Sequence, residues 1–396
     1  MPIPSAIVAL LVSVFFVIAG NGLVSTLAPL RAKLEGFSEI EIGLIGSSYF
    51  FGMLAGTLAA PAIVRRAGHI RAFTAFIAAA VVVVLAYPIA LAPLAWISLR
   101  GVIGFAFAGL YAVIESWVNA KAENENRGRV YAVYQVVHFA GSAAGQQLLG
   151  VGDTMSFTLF SATAGLFALS LLPLSMTKAD PPGEPESARV RIGWVARMAT
   201  VGAVGAFLVG AANGSFWSLA PVYALQVGLD ARQVGGMMTA PILGSAIAVY
   251  PIGRISDHFD RRLVMIWCAT AGAVFEAALV LLAGPRYGLL LAVMFAIGAS
   301  TMTLYSLAAS HTNDRIGAAH GVEAASALLF LYCAGAIVFP TVAAWLIQHY
   351  GPSALFAQNA CIHAALVGLV VWRMMVREKP AHEKFDKRAV VKKPTP

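Results

Sequence analysis

The chain has 396 residues, 59% of them hydrophobic and only 12% charged, and its mean hydropathy is +0.78. A soluble domain carries roughly a quarter charged residues, so this chain cannot cover itself with polar side chains and must take lipid as its solvent. The net charge of +8 is confined to short loops and a tail between apolar runs, which argues against a nucleic-acid partner.

In chain order the apolar runs predict spans at 5–30, 39–64, 72–91, 94–119, 130–151, 155–175, 196–222, 231–256, 263–283, 286–310, 321–347 and 353–373. Only helices or closed barrels satisfy the backbone in lipid. The runs are too long and too uniformly apolar for the alternating strands of a barrel, so the expected fold is an all-α polytopic membrane protein of twelve transmembrane helices. The start, Met1-Pro2-Ile3-Pro4, has no basic region and no small-residue cleavage site follows the first run, so that run reads as an uncleaved span. Cys268, Cys333 and Cys361 fall in apolar runs at scattered spacing. They suggest packing, with neither a disulfide frame nor a metal site.

Charge sets the expected orientation. Loops 65–71, 120–129 and 254–262, segment 177–197, Arg315 and the tail from Arg373 together hold 22 Lys and Arg. The other side holds four: Arg31, Lys33, Arg232 and Arg286. The basic side faces the cytoplasm by the positive-inside rule, which places both termini there in a bacterial inner membrane. The basic tail from Arg377 to Lys393 then meets anionic lipid.

The stretch Asp180–Ser187 (Asp-Pro-Pro-Gly-Glu-Pro-Glu-Ser) reads as a linker. It divides the chain into a six-helix bundle over 1–176, a cytoplasmic linker over 177–195, a second six-helix bundle over 196–376 and a tail over 377–396. The halves repeat each other. Residues 19–30, Ala-Gly-Asn-Gly-Leu-Val-Ser-Thr-Leu-Ala-Pro-Leu, align without a gap to 211–222, Ala-Ala-Asn-Gly-Ser-Phe-Trp-Ser-Leu-Ala-Pro-Val. Gly36, Ser38, Gly43 and Gly52 align in turn with Gly228, Asp230, Gly235 and Gly244, and Tyr111, Ser116 and Asn119 pair with Tyr305, Ser310 and Asn313. Parallel repeats imply a pseudo-two-fold axis along the membrane normal, with a binding site where the repeats meet.

Two polar stripes mark spans 4 and 5. Arg100, Gly104, Phe107, Tyr111 and Glu115 fall within one arc of about 80° on a helix. Gln135, His138, Ser142 and Gln146 do the same on span 5. An ionisable residue in a span is costly unless it faces protein or water, so both stripes are expected to face a cavity or other helices. Two readings of Arg100 stand: it binds an anionic group or tunes a nearby acid, or it snorkels toward the end of its span. Glu115 reads either as a gate ion pair with Arg65, Arg66, Arg71 or Arg129, or as a proton carrier. His138 titrates near neutral pH and reads as a proton site or as a bond to a neighbouring helix. Gly141 and Gly145 have the small-xxx-small spacing of close helix packing.

Asn21 and Asn213 each precede a glycine in mid-span. Asn-Gly is expected to loosen the helix and free polar groups for a ligand. Trp217, one turn beyond Asn213, reads as a packing residue or a stacking surface for a solute. Pro29, Pro221 and Pro241 read as helix bends. Glu276, in mid-span, has no evident reason to be tolerated, while His320 and Glu323 read as a cap or gate at the start of span 11.

The loop Gly253-Arg254-Ile255-Ser256-Asp257-His258-Phe259-Asp260-Arg261-Arg262 resembles the major facilitator signature Gly-x-Leu-Ala-Asp-Arg-x-Gly-Arg-Arg, departing from it at Asp260. Its counterpart, Pro61–Arg71, keeps Gly68 but has Arg65 in place of the Asp. Arg100-x-x-x-Gly104 is similar to the family's fourth-span motif. Ser47-Ser48-Tyr49-Phe50, Gly56-Thr57-Leu58, Glu115-Ser116, Asn126-Arg127-Gly128-Arg129 and Thr303-Leu304-Tyr305 together resemble the YcaD-type branch of that superfamily. The resemblance runs to about residue 375. It implies the major facilitator fold, alternating access driven by an ion gradient, a monomer, and gate or coupling roles for Asp257 and Arg261. The antiporter signature Gly-x-x-x-Gly-Pro is only half present, since Gln146 follows Gly145.

No P-loop, His-Glu-x-x-His or Gly-x-Ser-x-Gly pattern occurs, so no catalysis and no cofactor or metal is expected. The sequence thus points to a secondary transporter moving a small-molecule solute, with protons as the coupling ion. Its site is expected between spans 1, 4, 5, 7 and 10. Substrate-binding residues are expected at Asn21, Arg100, Tyr111, Ser142, Gln146, Asn213, Trp217 and Tyr305, and coupling or gate residues at Glu115, His138, Asp257 and Arg261. The alternative is a sensor or assembly factor on the same scaffold, which does not transport.

Overall fold

A computed structural model describes residues 5–121, 127–176, 190–282 and 286–376. Among these, no strand forms. The first half comprises α1 (Ser5–Leu34), α2 (Glu39–Ala67), α3 (His69–Ala86), α4 (Pro93–Lys121), α5 (Arg127–Leu148) and α6 (Thr158–Ser175). A short α7 (Ile192–Met198) leads into α8 (Thr200–Gln226). There follow α9 (Ala231–His258), α10 (Arg261–Leu281), α11 (Tyr287–Thr301), α12 (Leu304–Ile316), α13 (Gly321–Tyr350) and α14 (Ala354–Val376). The predicted linker at 180–187, residues 122–126 of one basic loop and the basic tail from Arg377 to Lys393 lie outside the described residues.

Among the described residues, and taking α11 and α12 together, eleven helices are long and apolar enough to cross a membrane. The predicted twelfth, α5, forms as a helix of 22 residues but is too polar to qualify alone. Its Gln135, His138, Ser142, Gln146 and Gln147 account for that, and much of this polar row faces protein or the space between the halves. The outer surface is apolar: Phe51 is 64% exposed, Val82 67% and Ile89 76%. Such side chains would be a liability in water and are at home against acyl chains.

Span 10, predicted as one helix over 286–310, is broken at Met302–Thr303. The Ser300, Thr301 and Thr303 hydroxyls donate back to the carbonyls of Ala296, Ile297 and Ser300 at 2.8, 2.9 and 3.2 Å. Such back-bonds compete with the helical ladder and bend it. A second expectation fails too. Both α1 and α8 run unbroken through Asn21-Gly22 and Asn213-Gly214. The glycines are there for packing: a Cβ on Gly22 would lie 2.8 Å from the Ser142 carbonyl oxygen, and one on Gly214 2.7 Å from Ala336 Cα.

The repeat is structural down to single bonds. Gly36 and Gly228 both take φ +85°, a left-handed conformation that glycine adopts freely. Ser38 then caps α2 and Asp230 caps α9, each in a reciprocal capping box, with Glu41 and Gln233 respectively. Gly52 abuts the Gly101 carbonyl as Gly244 abuts that of Phe295. Gly104 abuts the Tyr49 carbonyl as Gly298 abuts that of Pro241. Backbones this close leave no room for any side chain, the packing that membrane helices use in place of a hydrophobic drive.

The two halves touch mainly at the end away from the basic loops. There α2 meets α13, where a Cβ on Gly43 would reach the Ala344 Cβ at 2.7 Å and the Ser47 and Thr341 hydroxyls bond at 3.0 Å. Nearby α5 meets α9, with Gln147 Nε2 donating to Thr239 Oγ1 at 2.7 Å. Lys33 pairs with Glu39 at 2.5 Å, and Gln226 reaches the same carboxylate at 2.8 Å. At the other end the halves part.

Candidate functional site

Between α1, α2, α4, α5, α8 and α13 lies a cavity of about 340 Å³. It continues into a wider space of about 820 Å³ that runs past Glu115, Tyr134 and Gln135 to Arg65, Val190 and Val322 at the basic end. Met53, Tyr111, His138 and Tyr332 line both spaces and form the waist between them. Among the described residues the space is therefore open toward the basic end and closed at the other.

Arg100 dominates the inner cavity. It is 7% exposed. Its Nη2 donates to Ser25 Oγ at 3.2 Å, and its guanidinium lies 4.6 Å from the centroid of the Tyr49 ring. The side chain thus turns into the protein, and the snorkelling alternative does not hold. Ser25 Oγ in turn donates to Asn21 Oδ1 at 3.4 Å. Thr26 donates to Gln146 Oε1 at 2.5 Å, which orients the amide on the far wall. Trp217 stands edge-on to Phe216, and Phe50 edge-on to both Tyr49 and Tyr332. The lining thus joins one cation, two amides, several hydroxyls and aromatic faces. Few polar groups in an otherwise apolar concavity is the pattern of a small-molecule site.

Of the predicted substrate-binding residues, Asn21, Arg100, Tyr111, Ser142, Gln146 and Trp217 line the inner cavity. Tyr305 lines only the outer one, and Asn213 stands against Tyr332 without lining either. Span 10 thus contributes only to the outer space, whereas spans 2 and 11, which the sequence did not single out, line both. His138 sits at the waist beside Tyr111, ring centroids 6.4 Å apart. Glu115 and Arg65 line the same outer cavity, but among the described residues no ion pair joins Glu115 to Arg65, Arg66 or Arg71.

Asp257 and Arg261 lie elsewhere. Arg261 bonds Asp257 at 3.1 Å, Asp314 at 2.6 Å and Ser256 at 2.6 Å. This network ties α9, α10 and α12 within one half, beside a separate cavity of about 260 Å³. It does not bridge the halves in this conformation.

Tyr49, Phe50, Ser25 and Tyr332 were missed as lining residues. Tyr49 and Phe50 stood in a motif that carried the family resemblance, and Ser25 sits one turn past Asn21, so a stripe count on span 1 would have found it. Tyr332 carried no signal. Glu276 also finds its reason: its Oε2 lies 2.7 Å from His363 Nδ1, both residues 1% exposed. Asn359, one turn before His363, donates to the Ala212 carbonyl at 3.2 Å, and Gln358 to Ser215 Oγ at 2.9 Å.

Two matched helical halves around a central space open at one end define a polytopic membrane carrier. The chain belongs to the Major Facilitator Superfamily, whose family profile matches residues 10–198 and 202–395. It is an integral membrane protein of that transporter family. It is 27% identical over 372 residues to an uncharacterized MFS-type transporter of Yersinia pestis (strain Pestoides F), covering 92% of this chain and 94% of that one. It is 29% identical over 342 residues to the uncharacterized MFS-type transporter YcaD of Shigella flexneri, covering 85% and 88%. In fold it is similar to the nucleoside transporter NupG, with TM-score 0.79 at 13% identity over 94% of this chain and 100% of that one. A D-xylose-proton symporter aligns with TM-score 0.72 at 13% identity over 92% and 96%.

Proposed function

We propose that the protein is a secondary active transporter that carries a small organic solute across a bacterial inner membrane by alternating access, with protons as the coupling ion. The observation that carries this reading is the single space running from the inner cavity to the basic end while α2–α13 and α5–α9 close the other. That is one half of an alternating-access cycle around a site at the repeat interface. With the basic loops and both termini in the cytoplasm, the conformation is inward-open. The solute binds in the inner cavity against Arg100, Asn21, Gln146 and Trp217, and Tyr111 and Tyr332 screen it from the wider vestibule. Glu115 and His138, the titratable groups along this route, carry the proton. Asp257 and Arg261 act on the gate through the geometry of their own half. The symporters of xylose and of fucose among the structural neighbours couple to protons by their titles, which favours the same ion here. The transporting unit is a monomer, since each chain contains a complete site.

The test is proton flux in proteoliposomes with an internal pH dye, screening pooled metabolites. A solute-dependent pH change, lost in Glu115→Gln or His138→Ala, is expected. Folded protein that moves neither protons nor tracer with any pool would refute the reading.

A further inference from the structure

We propose that the solute is an organic anion, and that its carboxylate or phosphate is the counter-charge of Arg100. This rests on the transporter reading above and names its substrate class. Buried side-chain cations are normally paired, because an isolated charge removed from water is strongly disfavoured. Among the described residues Arg100 has no carboxylate partner. Among the described residues no Asp or Glu lines the inner cavity. The groups around the guanidinium are neutral: Ser25 Oγ at 3.2 Å, the Tyr49 ring at 4.6 Å and the nearby Tyr87 hydroxyl. Nη1 and the Tyr87 hydroxyl beside it are both buried, and beyond each other neither has a hydrogen-bond partner among the described residues. Hydroxyls and a ring face solvate a cation but do not neutralise it. What is missing is a negative group with two acceptor oxygens, which a guanidinium binds in parallel.

Two further features fit such a ligand. Arg100 sits at the closed end of the inner cavity's wall on α4, three turns from Tyr111 at the waist. A solute held by its anionic end at Arg100 therefore extends its body toward Trp217, Phe50 and Tyr332, which suits an apolar or aromatic body. Close packing of α4 on α2 also serves the cation: the Gly104 contact with the Tyr49 carbonyl holds the backbone that carries the ring against which the guanidinium rests.

The experiment measures binding apart from transport. Thermal unfolding of the detergent-purified protein is followed with two isosteric triples, acetate, acetamide and acetamidinium, then benzoate, benzamide and benzamidinium, and with inorganic phosphate. The expected result is stabilisation by at least one anion beyond its neutral and cationic partners, phosphate against carboxylate deciding which head group fits. Arg100→Gln should weaken that anion's binding about ten- to a hundredfold, as loss of a hydrogen bond to a charged group does, and Arg100→Lys should retain part of it. The proposal is overturned if no anion outperforms its neutral partner, or if folded Arg100→Gln binds the anion as the wild type does. Should Arg100→Gln fail to fold, the wild-type triples still decide. Anion binding in detergent by a protein that in proteoliposomes moves neither protons nor tracer with any pool would sink the transporter reading while leaving the anion site in place.

Discussion

Locking the closed end should stop transport without touching the cavity. Ser47 on α2 and Thr341 on α13 face each other with their hydroxyl oxygens 3.0 Å apart, and neither lines the cavity. Replacing both with cysteine, with the exposed Cys361 changed to serine, places two thiols where a disulfide can close. A sphere of the cavity's 340 Å³ is about 9 Å across, so release at this end requires α2 and α13 to separate by several ångströms. A disulfide holds the two Cβ atoms to about 4 Å. Oxidised protein should therefore lose at least about tenfold of its transport, because a barrier raised by more than 1.4 kcal/mol already costs that factor, and reductant should restore it. Solute-driven flux in proteoliposomes, with cross-linking scored on the same sample, measures this. Fully cross-linked protein that transports at the reduced rate would show that this seam does not open, and the rocking of the two halves would have to be abandoned.

Two other outcomes follow from packing and pairing. Gly104→Val forces a side chain into the Tyr49 backbone and should cost about 1–3 kcal/mol as overpacking does, visible as a lowered unfolding temperature, while Gly165→Ala, inside α6 with open space at its Cβ, should hold or slightly raise it. Glu276→Ala strands His363 in the interior and should destabilise by about 3–5 kcal/mol, as breaking one side of a buried pair does. The double change Glu276→Leu with His363→Leu should recover much of that loss. If the double variant is as unstable as the sum of the single ones, the two side chains are not coupled.

Architecture was legible from the sequence because its signals are local and repeated. Apolar runs about 20 residues long marked nearly every helix, and the 192-residue offset predicted paired elements whose caps, Ser38 and Asp230, turn out to be the same device. The polar stripes of spans 4 and 5 correctly indicated inward faces, since helical periodicity alone decides which residues share a side. What stayed hidden depends on contacts distant along the chain. Glu276 looked unaccountable because its partner, His363, lies 87 residues away. Tyr332 sits in an apolar run like any core aromatic, and only the tertiary arrangement of α13 turns it to the waist. Asn21-Gly22 and Asn213-Gly214 were misread because propensity suggested a loosened helix, whereas neighbouring backbones demanded a residue without a Cβ. The break in span 10 was missed for a related reason: three hydroxyl residues within four positions redirect their hydrogen bonds, and an apolarity count does not register that.

The polarity of α5 bears on how the molecule is made. A helix carrying Gln135, His138, Gln146 and Gln147 gains little from lipid on its own, so its place in the bilayer leans on its neighbours. Its glycines at 141 and 145 fit the backbone of α1 at Phe15 and Ala19, and Gln146 takes its hydrogen bond from Thr26 of that same helix. During synthesis α1 emerges more than a hundred residues earlier and awaits its neighbour. Stable seating of the fifth segment thus depends on the first, and a lesion in α1 is felt by a helix it precedes by four.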